Sequence, residues 1–169
     1  PLVAGVFQNQ PLLEVIAVAE VGLDLVQLHG DEGLEACAEC GVPGIHVVHV
    51  PPALDSEGGG GEGALTAEHR AALVVEALKP GFAAAVLLDT VVKGARGGTG
   101  TTFDHEVARA VGEMGVPVIV AGGLTPDNVK EVVAETHGWG LDVSSGVEAS
   151  KGIKGPDLVR QFVGEARQA

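Results

Sequence analysis

Short, continuous apolar runs alternate along this chain with segments whose apolar residues recur at helical spacing. Strands that are apolar throughout, instead of alternating apolar and polar, are typical of a parallel sheet buried on both faces. The pattern therefore predicts an α/β fold of six consecutive strand–helix units. The predicted strands are Leu2–Phe7, Leu23–His29, Ile45–Val50, Ala83–Leu88, Val116–Ala121 and Leu141–Ser144. The predicted helices cover about 11–21, 31–39, 66–78, 104–114, 125 onwards and 156–167.

Length and composition narrow this picture. At 169 residues the chain is long enough for one domain, predicted to span 1–169, and the glycine-rich stretch 51–63 predicts a flexible loop within it. A formal charge of −13 and only 3% aromatic residues argue against a nucleic acid or an anionic membrane as partner. The two cysteines provide no disulfide framework, so we expect a reducing compartment. The expected location is the cytoplasm, or a plastid if the source is a photosynthetic eukaryote.

The candidate chemistry lies where the predicted strands end. Asp89 follows a buried strand, and a carboxylate in a partly desolvated mouth favours its protonated form, which suits a general acid. A glycine-rich loop follows, in which Gly98 and Gly100 would let the backbone fold close over a ligand. On composition alone, an Asp that only caps the loop explains the pattern at least as well.

Two later strand ends carry anion-binding features. Gly122-Gly123 precedes a helix start, where backbone N–H groups and the helix dipole favour a phosphate. Ser145-Gly146 follows the last strand, next to Asp142, and offers hydroxyl and N–H donors. Either loop alone could be a tight turn, but adjacent loops after the final strands match the phosphate site of (βα)₈ enzymes.

Histidines and cysteines offer further candidates. His29 ends the second strand and could be an acid–base group, a substrate donor or a metal ligand. A metal set drawn from His29, His46, His49 and Asp89 is weakly supported, because no HxH or HxxxH pair fits the strands well, so we predict no metal. Cys37 and Cys40 form a CxxC inside a short helix and are interpreted as structural thiols.

Five sequence motifs, in order, resemble the phosphoribosylanthranilate isomerase family, a (βα)₈-barrel enzyme family of tryptophan biosynthesis. Strand counting alone favours an open sheet, and the resemblance reverses that preference. It implies an incomplete barrel as written, with the six visible units corresponding to strands 3–8. The motifs are Ala4–Gln10, Leu25–Glu32, Leu88–Thr90 with Gly97–Gly100, Ala121–Asn128 and Asp142–Glu148.

The resemblance also implies an activity and its residues. The family converts N-(5′-phosphoribosyl)anthranilate to 1-(o-carboxyphenylamino)-1-deoxyribulose 5-phosphate by an Amadori rearrangement, without metal or organic cofactor. Asp89 matches the general acid, while the base, a Cys on the family's first strand, has no match here, so the chain is expected to be inactive alone. The residues matching the substrate- and phosphate-binding set are Gly98, Gly100, Gly122, Gly123, Asp142, Ser145 and Gly146. Fusion to, or association with, other tryptophan-pathway domains fits this expectation.

Two rival interpretations remain open at the level of sequence. A pentulose-phosphate 3-epimerase would share the phosphate cradle but would need a metal-binding His/Asp set. A non-catalytic barrel fragment would use its unpaired strand edges for assembly with another chain.

Overall fold

The computed structural model describes residues 2–50, 66–79, 81–90 and 105–169. The predicted loop 51–63 lies outside the described residues. The strands are β1 Ala4–Phe7, β2 Leu25–Leu28, β3 Gly44–Val50, β4 Ala85–Thr90, β5 Val118–Ala121, β6 Gly140–Leu141, β7 Glu148–Ser150 and β8 Ile153–Lys154. The helices are α1 Leu12–Ala19, α2 Leu34–Glu39, α3 Ala67–Ala77, α4 His105–Glu113, α5 Val129–Thr136 and α6 Pro156–Ala166, with a 3-10 turn at Ser145–Val147.

The predicted order of six strands and six helices is confirmed, with differences at the ends of elements. The predicted sixth strand Leu141–Ser144 is wrong in its bounds, because the observed strand is Gly140–Leu141 and residues 142–144 belong to the loop before the 3-10 turn. Thr66 caps α3 as its side-chain oxygen accepts the His69 N–H at 3.3 Å. The predicted start of α5 at Thr125 is wrong. The Thr125 N–H donates to Asn128 Oδ1 at 2.8 Å, a side-chain contact that forms a turn, and the helix begins only at Val129.

The strands β1 to β6 form one parallel sheet in the order β1-β2-β3-β4-β5-β6. Each strand therefore pairs with its neighbour in sequence and the order never reverses. Because parallel crossovers are right-handed, such an order places every crossover helix on the same side of the sheet. This is the winding of a (βα)₈ barrel, whereas a doubly wound open sheet would reverse its order at a switch point.

The two faces of the sheet carry different layers of core. On one face, Val86, Leu88 and Val120 pack with buried residues of α3 to α6. On the other face, the buried cluster comes from strands alone: Ile45, Val47, Ala85, Leu87, Ile119 and Ala121. The prediction of strands buried on both faces is thus confirmed for the central strands. The second cluster corresponds to the layered interior of a barrel.

The β1–β2 end has its own core, which includes both cysteines. Cys37 and Cys40 are free and buried, and Cys40 Sγ donates to the Cys37 carbonyl at 3.2 Å. Burial raises the pKa of the Cys37 thiol to about 12, and burial also raises the pKa of Cys40. Thiols held protonated in a core are unreactive, which supports their interpretation as structural residues. None of the described helices has the length and apolar character needed to cross a bilayer.

Candidate active site

Three polar side chains meet on the concave face at the carboxyl ends of β2, β3 and β4. His29 Nε2 lies 3.4 Å from Asp89 Oδ2, and His49 Nδ1 lies 4.0 Å from the same oxygen. The two imidazole rings face each other edge-on, with centroids 5.6 Å apart. The side chains of His29 and Asp89 are about three-quarters buried, whereas that of His49 is half-exposed. The result is a polar cluster that remains open to a ligand.

Strand register explains why His49 and Asp89 meet. The two residues are direct cross-strand partners in the β3–β4 pair, and Asp89 is in turn the partner of Ala121 on β5. Side chains on one strand alternate between faces, so His49 shares the inner face with Val47. His46 is an odd number of residues from Val47 and His49, so its side chain lies on the other face of the sheet, towards the helices. There burial lowers the pKa of His46, with Glu35 and Glu32 partly offsetting the effect.

Gln27 supports the cluster from within β2. Its side chain is buried, and its Nε2 lies 3.4 Å from His29 Nδ1. The amide nitrogen donates to Nδ1 when the ring proton is on Nε2, facing Asp89, whereas the amide oxygen accepts when the proton is on Nδ1. Gln27 therefore fixes the orientation of the imidazole that contacts the carboxylate.

The loops after β1 and β2 are bound to each other beside this cluster. The Asn9 backbone N–H donates to Glu32 Oε1, and Asn9 Oδ1 accepts the Asp31 N–H at 2.7 Å. A Cβ on Gly30 would lie 2.5 Å from Asn9 Oδ1, so only glycine permits this approach. The motifs at 7–10 and 29–32 are thus parts of one structure, a double loop that holds His29 in place.

The two glycine loops after β5 and β6 also touch. Gly122 and Gly123 have φ angles of +88° and +65°, which turn the chain sharply after β5. A Cβ on Gly146 would lie 1.7 Å from the Leu124 carbonyl oxygen, so the backbones of the two loops are in direct contact. Asn128 closes the first loop, because its Nδ2 donates to the Gly123 carbonyl at 3.0 Å.

Lys154 holds the second loop from the side. Its Nζ donates to the Ser144 carbonyl at 2.9 Å and contacts Ser144 Oγ at 3.1 Å. It also pairs with Glu148 Oε1 at 2.9 Å, and this hydrogen bond holds the pKa of the Glu148 carboxyl below its usual value. The β7–β8 hairpin, which sequence patterning did not predict, places Lys154 there.

The structure brings together most of the predicted site residues that it describes. Asp89 and His29 form one half of the site, and the Gly122-Gly123 and Ser145-Gly146 loops form the other. The halves adjoin, since Gly122 directly follows Ala121, the cross-strand partner of Asp89. Asp142 follows β6, and its N–H donates to the Val120 carbonyl at 2.9 Å. Gly98 and Gly100 lie outside the described residues.

Sequence reasoning did not assign a role to Gln27 and placed His49 only in a weak metal set. Both stand inside predicted strands, where the apolar run dominates the pattern. The sequence did hold one signal: His49 is separated by an even number of residues from Ile45 and Val47, so all three side chains lie on the same face of β3. That signal alone does not show that His49 meets Asp89, because the register of β3 against β4 cannot be read from the sequence.

A carboxylate next to an imidazole can exchange a proton with a bound ligand. Glycine-rich loops one strand away, at the same carboxyl edge, are suited to hold a phosphate group of that ligand. The singly wound parallel sheet, with a polar cluster and glycine-rich loops at its carboxyl edge, defines the class of fold as (βα)₈-barrel-like.

Comparison with known proteins identifies the family. Residues 1–165 match the profile of the family described as N-(5′-phosphoribosyl)anthranilate isomerase. The chain therefore belongs to this family of isomerases of tryptophan biosynthesis, and the resemblance seen in the motifs is confirmed. The epimerase alternative is not favoured.

Individual relatives agree with that assignment. The tryptophan biosynthesis protein TRP1 of Phytophthora nicotianae is 43% identical over 166 residues, which are 96% of this chain and 29% of that protein. The N-(5′-phosphoribosyl)anthranilate isomerase of Pseudomonas aeruginosa strain UCBPP-PA14 is 42% identical over 164 residues, 96% of this chain and 69% of the relative. The crystal structure of the Thermotoga maritima isomerase aligns with a TM-score of 0.75 and 30% identity, covering 99% of this chain and 74% of that one.

The chain thus spans less than a third of the Phytophthora relative and about two-thirds of the Pseudomonas relative. Its six-stranded curled sheet corresponds to the greater part of the Thermotoga structure.

Proposed function

We propose that this chain supplies the general acid and the phosphate site for the Amadori rearrangement of N-(5′-phosphoribosyl)anthranilate. In this reaction an acid protonates the furanose ring oxygen and opens the ring to a Schiff base. A base then removes the C2′ proton, and the resulting enolamine tautomerises to the ketone. The substrate's own imine accepts the electrons, so no metal or organic cofactor takes part.

Asp89 is the proposed acid, and one observation carries the assignment. Its carboxylate lies beside His29 at the carboxyl edge of β4, next to the strand that leads into the Gly122-Gly123 loop. A substrate whose phosphate lies on the two contacting glycine loops would extend its sugar ring towards Asp89. His29, oriented by Gln27, is proposed to hold the carboxylate and to contact the substrate.

The phosphate is proposed to bind where the two loops touch, between Gly122-Gly123 and Ser145-Gly146. The close contact of Gly146 with Leu124 supports a single cradle that both loops build. Asp142, at the end of β6, is proposed as a further substrate contact. Gly98 and Gly100, which the family resemblance implies as further substrate contacts, lie outside the described residues.

The general base is proposed to come from a preceding βα unit. The six described units would then be strands 3–8 of the barrel, as their sequential order and their coverage of 69% of the Pseudomonas relative support. No residue of this chain matches the family's base motif. We therefore expect turnover to require a segment that carries the first two units, supplied for instance from that relative.

The test combines this chain with such a segment and follows the loss of substrate fluorescence. Asp89→Asn should lower kcat by about 10²–10⁴-fold, because the amide keeps the shape but has no acidic proton to donate. KM should change little, since the phosphate loops are untouched. Asp157→Asn is the matched control, as Asp157 is exposed on α6 and pairs only with Arg160 among the described residues. An Asp89→Asn enzyme with the kcat of this control would refute the assignment.

Two further proposals concern context. The Phytophthora relative is more than three times as long as the matched region, which supports fusion to, or association with, other tryptophan-pathway domains. Two free, buried thiols support a reducing location, the cytoplasm or a plastid. Neither a nucleic acid nor a membrane is proposed as partner, given the net charge of −13.

A further inference from the structure

The His29–His49–Asp89 cluster has a second property that the isomerisation does not use. Each of the three side chains presents one ligand atom, and these atoms all lie within 4.8 Å of one another. Sequence spacing disfavoured a metal set because no HxH or HxxxH pair fits the strands well. The parallel register brings the three residues together nonetheless, and it leaves out only His46, whose side chain is on the opposite face.

The distances approach those of a zinc centre. Nitrogen and oxygen ligands about 2.0–2.1 Å from a tetrahedral Zn²⁺ lie about 3.3 Å from each other. The His29 Nε2–Asp89 Oδ2 separation of 3.4 Å already matches this value. His49 Nδ1 lies 4.0 Å from the same oxygen, and all three ligand atoms lie within 4.8 Å of one another. His49 must therefore move closer to both partners, and its half-exposed side chain has room to do so.

The surroundings fit a metal ligand set in a further way. A ligating histidine usually has its other ring nitrogen held by a neighbouring group. Gln27 occupies that position, with Nε2 3.4 Å from His29 Nδ1. Rotation of the amide would present Oε1 to a protonated Nδ1, which leaves the Nε2 lone pair free for an ion.

We propose that His29, His49 and Asp89 form a binding site for a divalent transition-metal ion such as Zn²⁺. Two imidazoles and one carboxylate are ligands that Zn²⁺ accepts, and the remaining position is open to water. The ion inhibits the enzyme, a consequence that rests on the proposed function: a metal on the Asp89 carboxylate displaces the proton that Asp89 would donate.

Direct binding measurements test the site without any turnover. Zn²⁺ is titrated into the purified protein by calorimetry, and Co²⁺ serves as a visible-absorbing probe. His49→Ala should weaken Zn²⁺ binding at least ~10-fold, as loss of even a residue that orients a ligand costs about 10–100-fold. His46→Ala is the matched control, because it removes a histidine from the same strand but from the opposite face. The Zn²⁺ affinity of this variant should equal that of the parent protein.

Histidine ¹⁵N resonances of the unmodified protein give a second measurement, independent of how the variants fold. Zn²⁺ should shift the ring nitrogens of His29 and His49 and leave those of His46 in place. The proposal is overturned if no saturable binding occurs, if His46→Ala weakens binding as much as His49→Ala, or if Cys37→Ser and not His49→Ala removes it. Because these measurements need no substrate, a failed metal site and a failed isomerase assignment give different results.

Discussion

Replacing Gly146 by alanine tests the contact between the two glycine loops. The added Cβ would lie 1.7 Å from the Leu124 carbonyl oxygen and 2.8 Å from its carbon. Since real Cβ contacts essentially never fall below 3.0 Å, one backbone must move by more than an ångström. Both contact atoms belong to the main chain, so no flexible side chain can relieve the clash.

The expected cost is that of an overpacked site, about 1–3 kcal/mol of the free energy of unfolding. For a protein of this size, each kcal/mol lowers Tm by about 2–4 °C. Gly164→Ala is the matched control. Gly164 lies in α6 with nothing within 4 Å of a Cβ, so the same substitution should stabilise the protein by about 0.5–1 kcal/mol.

Urea unfolding followed by circular dichroism measures the stability of both variants. Inorganic phosphate binding, followed by ³¹P NMR, measures whether the displaced loops still form a cradle. We expect Gly146→Ala to be less stable than the parent and to bind phosphate more weakly, with Gly164→Ala unchanged in binding. If Gly146→Ala matches the parent in both measurements, the loops do not touch and the proposed cradle is wrong.

Two other predictions concern stability. Thr66→Ala should lower the free energy of unfolding by about 0.5–2 kcal/mol through loss of the α3 cap, whereas Thr66→Ser keeps the hydroxyl and should cost less in the same urea titration. Burial raises the pKa of Cys37 from 9.0 to about 12, so the unfolded thiol ionises first as pH rises. This contribution to stability is complete below pH 9 and is lost towards pH 12, and unfolding curves across that range should show a smaller loss for Cys37→Ala. An equal loss in both proteins would contradict the assigned cause.

The order of strands and helices could be predicted from the sequence because continuous apolar runs and helical spacing are local signals. Residues that act through neighbours in space could not be found in this way. Thr125 has the residue type of a helix cap, yet its N–H donates to the Asn128 side chain, and α5 begins four residues later, at Val129. Gly30 reads as a turn residue, and only the fold shows that Asn9 occupies the space where a side chain would be.

The candidate site likewise contains residues that the sequence pattern indicates and residues that only the fold brings into the site. Asp89 and the glycine loops stand at strand ends, where polar residues interrupt apolar runs, so sequence patterning detects them. His49 lies within a strand, and its meeting with Asp89 depends on a register between segments about forty residues apart. The hairpin β7–β8 was missed because its strands are only two or three residues long.

The sequential order of the sheet has a consequence for how the protein assembles. Partner residues in neighbouring strands lie about 18 to 40 positions apart along the chain, from Val26↔Gly44 to Ile45↔Ala85. Among the described strands of the sheet, each pairs with its neighbour in sequence, so these pairs can form as soon as the next strand has been synthesised. The His29–His49–Asp89 cluster of β2 to β4 can therefore form before the glycine loops that follow β5 and β6 have been synthesised.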